Sequence, residues 1–390
     1  MWVLVAIVWI GVASFGCVWI LEPTLHYYES SNVNDMDANE FTVVDKYEMD
    51  PTLARDLVDL SIVVPAFNEE LRIPAMLDAA LQYMDTWSAS NSLSYEIVVV
   101  DDGSTDKTVD VIQRYRRSWG MQLRLVRLHK NRGKGAALKL GVRESLGRNI
   151  LIADADGATD IRDLDSLLIA LQRASVQTEA FEGPVAIAIG SRAHLAEKSI
   201  ATRAFYRTVL MRGFHFYVQL LVTQNVEDTQ CGFKLFTRSA GKMLFKYLHL
   251  YRWAFDTEII YLAELLHIPM AEVAVNWREV DGSKLIQSKL DVVTTSITMA
   301  RDILCMRLSY LLHLWDSPPP PPPPLRTGTT TTTTTTTTNT ATASSSSGDG
   351  GGDSGGNSGD HQIAASSSNT AATGTGDSSR RTTDTHNSEF

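Results

Sequence analysis

Cysteine is scarce: three residues in 390, Cys17, Cys231 and Cys305, with no pair at metal-ligand spacing. A disulfide framework is thereby disfavoured, which suits a reducing compartment. No Asn-x-Ser/Thr acceptor occurs in the chain, which argues against exposure to a glycosylating lumen. Positive charge is short as well, 35 Lys and Arg against 45 Asp and Glu, for a net charge of −10 at pH 7. No basic stripe stands out to neutralise phosphates, so nucleic acid is not the expected partner. Part of the acidity is remote from any core: from Asp316 onward three basic residues meet seven acids, and four of the net negative charges lie there.

Long uncharged apolar runs are equally few, and the first opens the chain. Trp2–Leu21 has about the ~20 apolar residues that a membrane crossing needs. A cleaved signal would want a positive n-region, a shorter apolar core and a small-x-small site, so an uncleaved signal-anchor helix over 1–21 is expected. Glu22 follows the run and the first basic residues are Lys46 and Arg55, so flanking charge sets no orientation. Residues 22–58 are polar and acidic without periodicity and read as a stalk. From Asp316 the composition collapses into a proline run (Pro318–Pro324), threonines, then Ser, Gly and Asp. The prolines favour an extended segment, and the rest has too little apolar surface to offset its ordering entropy. The region 316–390 is therefore expected to be a disordered tail without a catalytic role.

Between stalk and tail, apolar β-branched runs alternate with amphipathic helical patterns. Ser61–Pro65, Glu96–Val100, Leu123–Leu128, Asn149–Ala153 and Val185–Ile189 read as buried strands. Helices are expected near Glu69–Met84, Lys107–Arg117, Gly133–Leu146 and Ile161–Arg173. With 44% apolar residues the chain can bury a real core. The alternation predicts an α/β domain over 59–315 with a mostly parallel sheet covered on both faces. In such sheets the ligand sits beyond the carboxyl ends of the strands.

The first four strand exits each carry a polar, Gly- or Asp-bearing loop: Pro65–Glu70, Asp101–Asp106, Lys130–Gly135 and Asp154–Gly157. Any one of these is ordinary turn or cap chemistry, Asp106 being a natural N-cap. Their succession along one rim points to a site. Asp154 and Asp156, one residue apart at a strand end, can share a hard cation, Mg²⁺ or Mn²⁺, with phosphate oxygens completing its shell. Such an ion would neutralise charge on a departing diphosphate. Lys134, flanked by Gly133 and Gly135, can bring its backbone close to a ligand while its ammonium reaches a phosphate. Asp101 and Asp102 can each accept from a base or a ribose hydroxyl, and chemistry alone does not separate the two roles.

The series Ser61–Glu70, Val99–Ser104, Asn131–Gly135 and Asp154-Ala-Asp156 resembles the family 2 glycosyltransferases of GT-A fold, the Rossmann-like nucleotide-diphospho-sugar transferases. Gly190–Arg192, Asp228–Lys234, Arg252–Asp256 and Val275–Trp277 are similar to the branch of that family that charges dolichyl phosphate with glucose. The resemblance covers roughly residues 1–315 and leaves out the tail. It implies transfer of glucose from UDP-glucose to dolichyl phosphate on the cytosolic face of the endoplasmic reticulum, for N-glycan precursor assembly. It implies further that Pro65, Asn68, Glu69 and Asp101 line a uridine pocket, that Lys134 lies near the diphosphate, and that Asp154 and Asp156 hold the metal–nucleotide unit. Arg192 matches an arginine that meets phosphate at the reaction centre, and Asp228 the acidic residue of the acceptor-side loop.

A phosphate monoester has a second pKa near ~6, so its attacking oxygen is already anionic and needs no strong base. Positive charge must hold it instead. Arg192, Arg203, Arg207, Arg212 and Lys234 are the candidates for gripping the acceptor phosphate, Arg192 and Lys234 favoured and Arg203 third, Arg207 and Arg212 being also able to face lipid headgroups alone. Asp228 is assigned to orienting a cationic partner and not to taking a proton. Thr208–Val222 and Leu285–Trp315, apolar but dotted with basic residues, are expected to be helices lying in the membrane interface. A dolichyl-phosphate mannosyltransferase using GDP-mannose would share the rim motifs; the Asp228–Lys234 segment and the anchor favour glucose. A processive polysaccharide synthase would need several spans. A non-catalytic adaptor acting through the proline-rich tail would not need the intact Asp154-x-Asp156 and Lys134.

Overall fold

The computed structural model describes residues 16, 19, 20, 22, 41–43, 58–177, 181–195, 205–280 and 289–318. Most of the expected anchor and stalk, and nearly all of the tail, lie outside those residues. Among the described residues no helix is long and apolar enough to cross a membrane. The chain divides into two units, Met1–Leu325 and Arg326–Phe390, and the first contains every element described below.

The strands are β1 (Phe41–Val43), β2 (Leu60–Ala66), β3 (Tyr95–Asp102), β4 (Leu123–Leu128), β5 (Asn149–Ile152), β6 (Val176–Gln177), β7 (Pro184–Val185), β8 (Ile187–Ser191), β9 (Lys234–Thr237) and β10 (Met270–Ala274). The helices are α1 (Ile73–Asn91), α2 (Thr108–Trp119), α3 (Lys134–Glu144), α4 (Leu164–Ala174), α5 (Phe205–Leu221), α6 (Arg238–Lys246), α7 (Phe255–Leu265) and α8 (Lys289–Leu311). Every residue of β3, and all of β2 except Pro65, is buried, because helices cover both faces of the sheet. Pro65 comes after Val63, the last β2 residue paired with β5, where a strand tolerates the missing N–H.

Eight strands form the main sheet in the order β1-β4-β3-β2-β5-β9-β8-β10, and β6 pairs with β7 alone. The β4-β3-β2-β5 half is parallel, as expected, and β8 pairs parallel with β10. The other half corrects the expectation of a mostly parallel sheet. β9 lies antiparallel to both β5 and β8, and β1 is antiparallel to β4, so the sheet is mixed. Four residues beginning with a lysine carry too little pattern to announce β9, and three residues within the supposed stalk too little to announce β1. α1, α2 and α4 pack on one face around Ile73, Leu77, Ile112 and Leu164. α3, α6, α7 and α8 cover the other around Leu138, Leu244, Ile259 and Met306.

The two expected interfacial segments form α5 and α8. They pack together, the Tyr217 hydroxyl donating to the Ala300 carbonyl at 2.8 Å. Large apolar side chains stand in the open on α5 and at the end of α8, Phe216 and Leu220 at 66% exposure and Leu311 at 74%. The end of the N-terminal run reaches α8 as well. The Arg301 guanidinium donates to Glu22 Oε2 at 2.6 Å and lies 5.4 Å from the Trp19 ring centre.

Candidate active site

The rim begins where β2 and β3 end side by side. Asn68 adopts a left-handed backbone, φ 56°, which an asparagine tolerates better than most residues. Its Oδ1 collects the N–H groups of Thr105 (2.8 Å) and Asp106 (3.3 Å), and its own N–H donates to Ser104 Oγ at 2.9 Å. The Glu69 N–H donates to Thr108 Oγ1 at 2.7 Å. The first and second loops are thus laced into one surface, with Pro65 half-buried at its base. Glu69 receives the Arg72 guanidinium at 2.7 and 2.5 Å, and the same guanidinium lies 3.7 Å from Asp156 Oδ2. Asp101 is fully buried and accepts from the Ser104 N–H at 3.2 Å, while its other oxygen lies 3.4 Å from Arg127. Burial pushes its carboxyl above the ordinary range.

The neighbouring Asp102 does something else. Its two oxygens accept from the N–H groups of Arg132 (2.7 Å) and Gly133 (2.8 Å), anchoring the loop that presents Lys134. Burial raises its pKa to about 6 against the pull of those two bonds. Asp102 thus supports the loop with both oxygens, whereas Asp101 accepts from the Ser104 N–H of its own loop, which separates the structural parts of the two adjacent aspartates. The glycines around Lys134 also serve a purpose other than the expected approach to a ligand. A Cβ on Gly133 would stand 2.5 Å from the Tyr251 carbonyl oxygen, and one on Gly135 would stand 2.7 Å from that of Leu250. Gly133 is at φ 102°, and the Gly135 N–H donates to Tyr251 at 2.7 Å. The close approach is to the protein's own 250–251 segment.

Lys134 Nζ meets Asp154 Oδ1 at 2.5 Å. Burial works against the ammonium, but Asp154 and Asp256 hold its pKa above the ordinary value. The Asp154 carboxylate lies flat against Gly232, where any Cβ would overlap it. Asp156 accepts from the Ala158 N–H at 3.0 Å and faces Arg72 with its other oxygen. Two partly exposed hard carboxylates at one strand exit, one of them seated in a glycine cradle, fit a divalent cation. Among the described residues no cluster of three His, Cys, Asp or Glu is present.

Beneath the rim the charges continue inward. Lys234, at the start of β9, is 2% exposed; its ammonium is held by Asp256 Oδ1 and donates to the Cys231 carbonyl at 2.7 Å. The expectation that Lys234 grips acceptor phosphate is corrected: an ammonium sealed inside this pair cannot reach a lipid headgroup. Asp154, Lys134, Asp256 and Lys234 form an alternating chain of charge from rim to interior. Asp256 belongs to the first turn of α7 and stood inside the Arg252–Asp256 motif, but nothing in the spacing tied it to Lys134.

On the far side Arg192 closes β8's exit. Its Nε and Nη2 donate to the two oxygens of Asp228 at 2.7 and 2.9 Å, and its backbone N–H adds a third bond. Burial alone would raise Asp228, but Arg192 holds it below the ordinary carboxylate range, and Asp228 in turn raises Arg192. The Asp228 and Glu227 N–H groups both donate to Glu272 of β10 at 2.9 Å. The guanidinium sits 5.6 Å from the centre of the Trp277 ring. Arg203 and the side chains of Arg207 and Arg212 lie outside the described residues. A cleft of about 700 Å³ opens beside Asp154 and Asp156, between Met76 and Tyr83 of α1 and the pair Trp277 and Arg278. Arg72, Asp256, Gly232 and Glu272 were not anticipated as site residues; each acts through a partner far along the chain.

A family model described as Glycosyl transferase family 2 matches residues 61–245. The dolichyl-phosphate beta-glucosyltransferase of Drosophila melanogaster is 48% identical over 260 residues, which cover 66% of this chain and 77% of that relative. The Homo sapiens protein of the same name is 46% identical over 258 residues, again 66% and 77% of the two chains. That of Saccharomyces cerevisiae is 38% identical over 263 residues, 66% and 76%. Among solved structures, the Mycobacterium tuberculosis glucosyl-3-phosphoglycerate synthase in complex with UDP aligns with TM-score 0.44 and 16% identity over 68% of this chain and 86% of that one. That likeness is too distant to bear on ligands.

Proposed function

This chain belongs to the dolichyl-phosphate β-glucosyltransferases of glycosyl transferase family 2, and from that premise we propose that it moves glucose from UDP-glucose to dolichyl phosphate by one inverting displacement, giving dolichyl β-D-glucosyl phosphate and UDP. The observation that carries the reading is the pairing of two unlike half-sites on one rim. Asp154, Asp156 and Lys134 make a diphosphate half, and the Arg192–Asp228 pair makes a guanidinium half.

The acceptor phosphate arrives as an anion, so the enzyme's task is to hold and aim it. Arg192, held in place and kept charged by Asp228, offers its remaining N–H groups to that phosphate. Asp228 is ionised and fully bonded, so it orients Arg192 and takes no proton. Lys134 turns from Asp154 toward the diphosphate as charge builds on the departing UDP. Asp154 and Asp156 would hold a divalent cation, Mg²⁺ or Mn²⁺, whose chemistry when bound is to neutralise the leaving diphosphate. Asn68, Glu69, Pro65 and Asp101 form the wall that receives the uridine.

The lipid acceptor places the reaction at a membrane, and the endoplasmic reticulum with a cytosolic catalytic domain is the proposed location. The exposed apolar side chains of α5 and α8 support an interfacial seat for both helices. Residues 2–21 are the proposed anchor.

The test is full-length protein in membranes, given dolichyl phosphate with either UDP-glucose or GDP-mannose, with and without Mg²⁺. Metal-dependent glucolipid from the UDP donor alone is expected. Mannolipid from GDP-mannose would overturn the donor assignment, and no lipid product from either would overturn the reaction.

A further inference from the structure

A second buried polar cluster lies behind the site, with Glu258 of α7 at its centre. Glu258 is fully buried and accepts the His249 N–H (3.0 Å), the Leu250 N–H (2.7 Å) and the Tyr310 hydroxyl (2.8 Å), and it meets His249 Nδ1 at 2.8 Å. The His249 ring stacks on Trp315, centroids 4.5 Å apart and planes within 4°. Tyr310 and Trp315 belong to the last turn of α8 and the residues just after it. So α8 ends on a carboxylate that also pins the backbone of residues 249–250.

That same backbone sets Lys134. The Tyr251 carbonyl accepts from the Gly135 N–H at 2.7 Å and the Leu250 carbonyl presses on Gly135, with no room for even a methyl group. Lys139, farther along α3, donates to the Leu248 carbonyl at 2.9 Å and makes a second tie. A shift of residues 248–251 must therefore carry the start of α3 with it. Arg301, nearer the middle of α8, holds Glu22 and Trp19.

We infer that Glu258 and Tyr310 are positioning residues for Lys134, linking α8, the helix tied to the end of the N-terminal run, to the diphosphate half of the site. The inference rests on the proposed reading of Lys134 as a diphosphate ligand. It goes beyond that reading in giving α8 a part in donor binding.

The test compares binding of a nucleoside diphosphate and of the bare nucleoside to full-length protein in detergent. UDP with uridine and GDP with guanosine are both measured, and the wild type identifies the pair that binds. Tyr310→Phe removes one hydroxyl and keeps the ring packing. It is expected to weaken the diphosphate about fivefold while leaving the nucleoside unchanged, and Glu258→Gln to do so more strongly. Leu171→Ala in α4, buried on the opposite face, supplies a control of general destabilisation. If Tyr310→Phe and Glu258→Gln lower the unfolding temperature but bind the diphosphate like Leu171→Ala, the link does not exist and the cluster only stabilises the fold. Preference of the wild type for GDP would overturn the donor assignment while leaving the positioning role to be read from the GDP data.

Discussion

Replacing Asp102 by asparagine should separate activity from stability. Asp102 accepts two backbone N–H groups, from Arg132 and Gly133, and burial lifts its pKa from 3.8 to about 6. At pH 7 it is mostly ionised, at a net cost of about 3 kcal/mol in which burial outweighs the two bonds. The sign follows from linkage. A carboxyl raised in the folded state gives its stabilisation below the unfolded pKa and loses it as pH rises through the folded one. Asp102→Asn would therefore relieve a burial cost at pH 7. It would also point an amide donor at one of the two N–H groups, a loss of about 1–3 kcal/mol. The two roughly cancel, so global stability should stay within about 1 kcal/mol of wild type. The loop loses its second acceptor, however, and Lys134 loses its aim. Donor affinity should fall by roughly tenfold or more. UDP-glucose carries both phosphates as esters and does not titrate near pH 6, so its binding between pH 5 and 8 reports on the protein. Wild type should bind more weakly as pH drops through about 6 while Asp102 takes a proton. Asp102→Asn should bind weakly and evenly across that range. Wild-type affinity in the variant, with the same weakening at low pH, would refute the anchoring role.

Gly232→Ala would push its methyl into the Asp154 carboxylate; kcat/KM for transfer should drop about 100-fold, with little change in the thermal midpoint. Asp228→Asn breaks the bidentate grip on Arg192 and should lower kcat/KM by roughly tenfold to a hundredfold without deleting a limb from the pH–rate profile. A lost limb would make Asp228 a base. Burial lowers Lys139 from 10.5 to about 8, so the folded state sheds that proton first and stability should rise with pH through this window. Between about pH 7.5 and 9.5 the gain is about 2 kcal/mol, and urea unfolding of Lys139→Met at the two pH values should lack it.

The parallel half of the sheet and the rim motifs were legible because each rests on local pattern. β2 and β3 are runs of apolar residues buried on both faces, and period and composition alone mark such runs. The loops after them lie within a few residues of the strands that place them, so Asn68, Asp101, Lys134, Asp154 and Asp156 could be assigned to one edge before any contact was known. What chain proximity could not supply was the direction of β9, which enters antiparallel between β5 and β8 after a long excursion. Nor could it supply the partner of any buried charge. Lys234 looked like an available cation until Asp256, from another element, enclosed it. Gly133 and Gly135 looked like room for a ligand until Tyr251 and Leu250 filled that space. Asp102 looked equivalent to Asp101 until two amides from the next loop occupied it. Strands and turns follow from the residues that compose them. The state of a charged side chain depends on what packs against it, and here those neighbours lie tens to more than a hundred positions away, where only the closed tertiary structure brings them together.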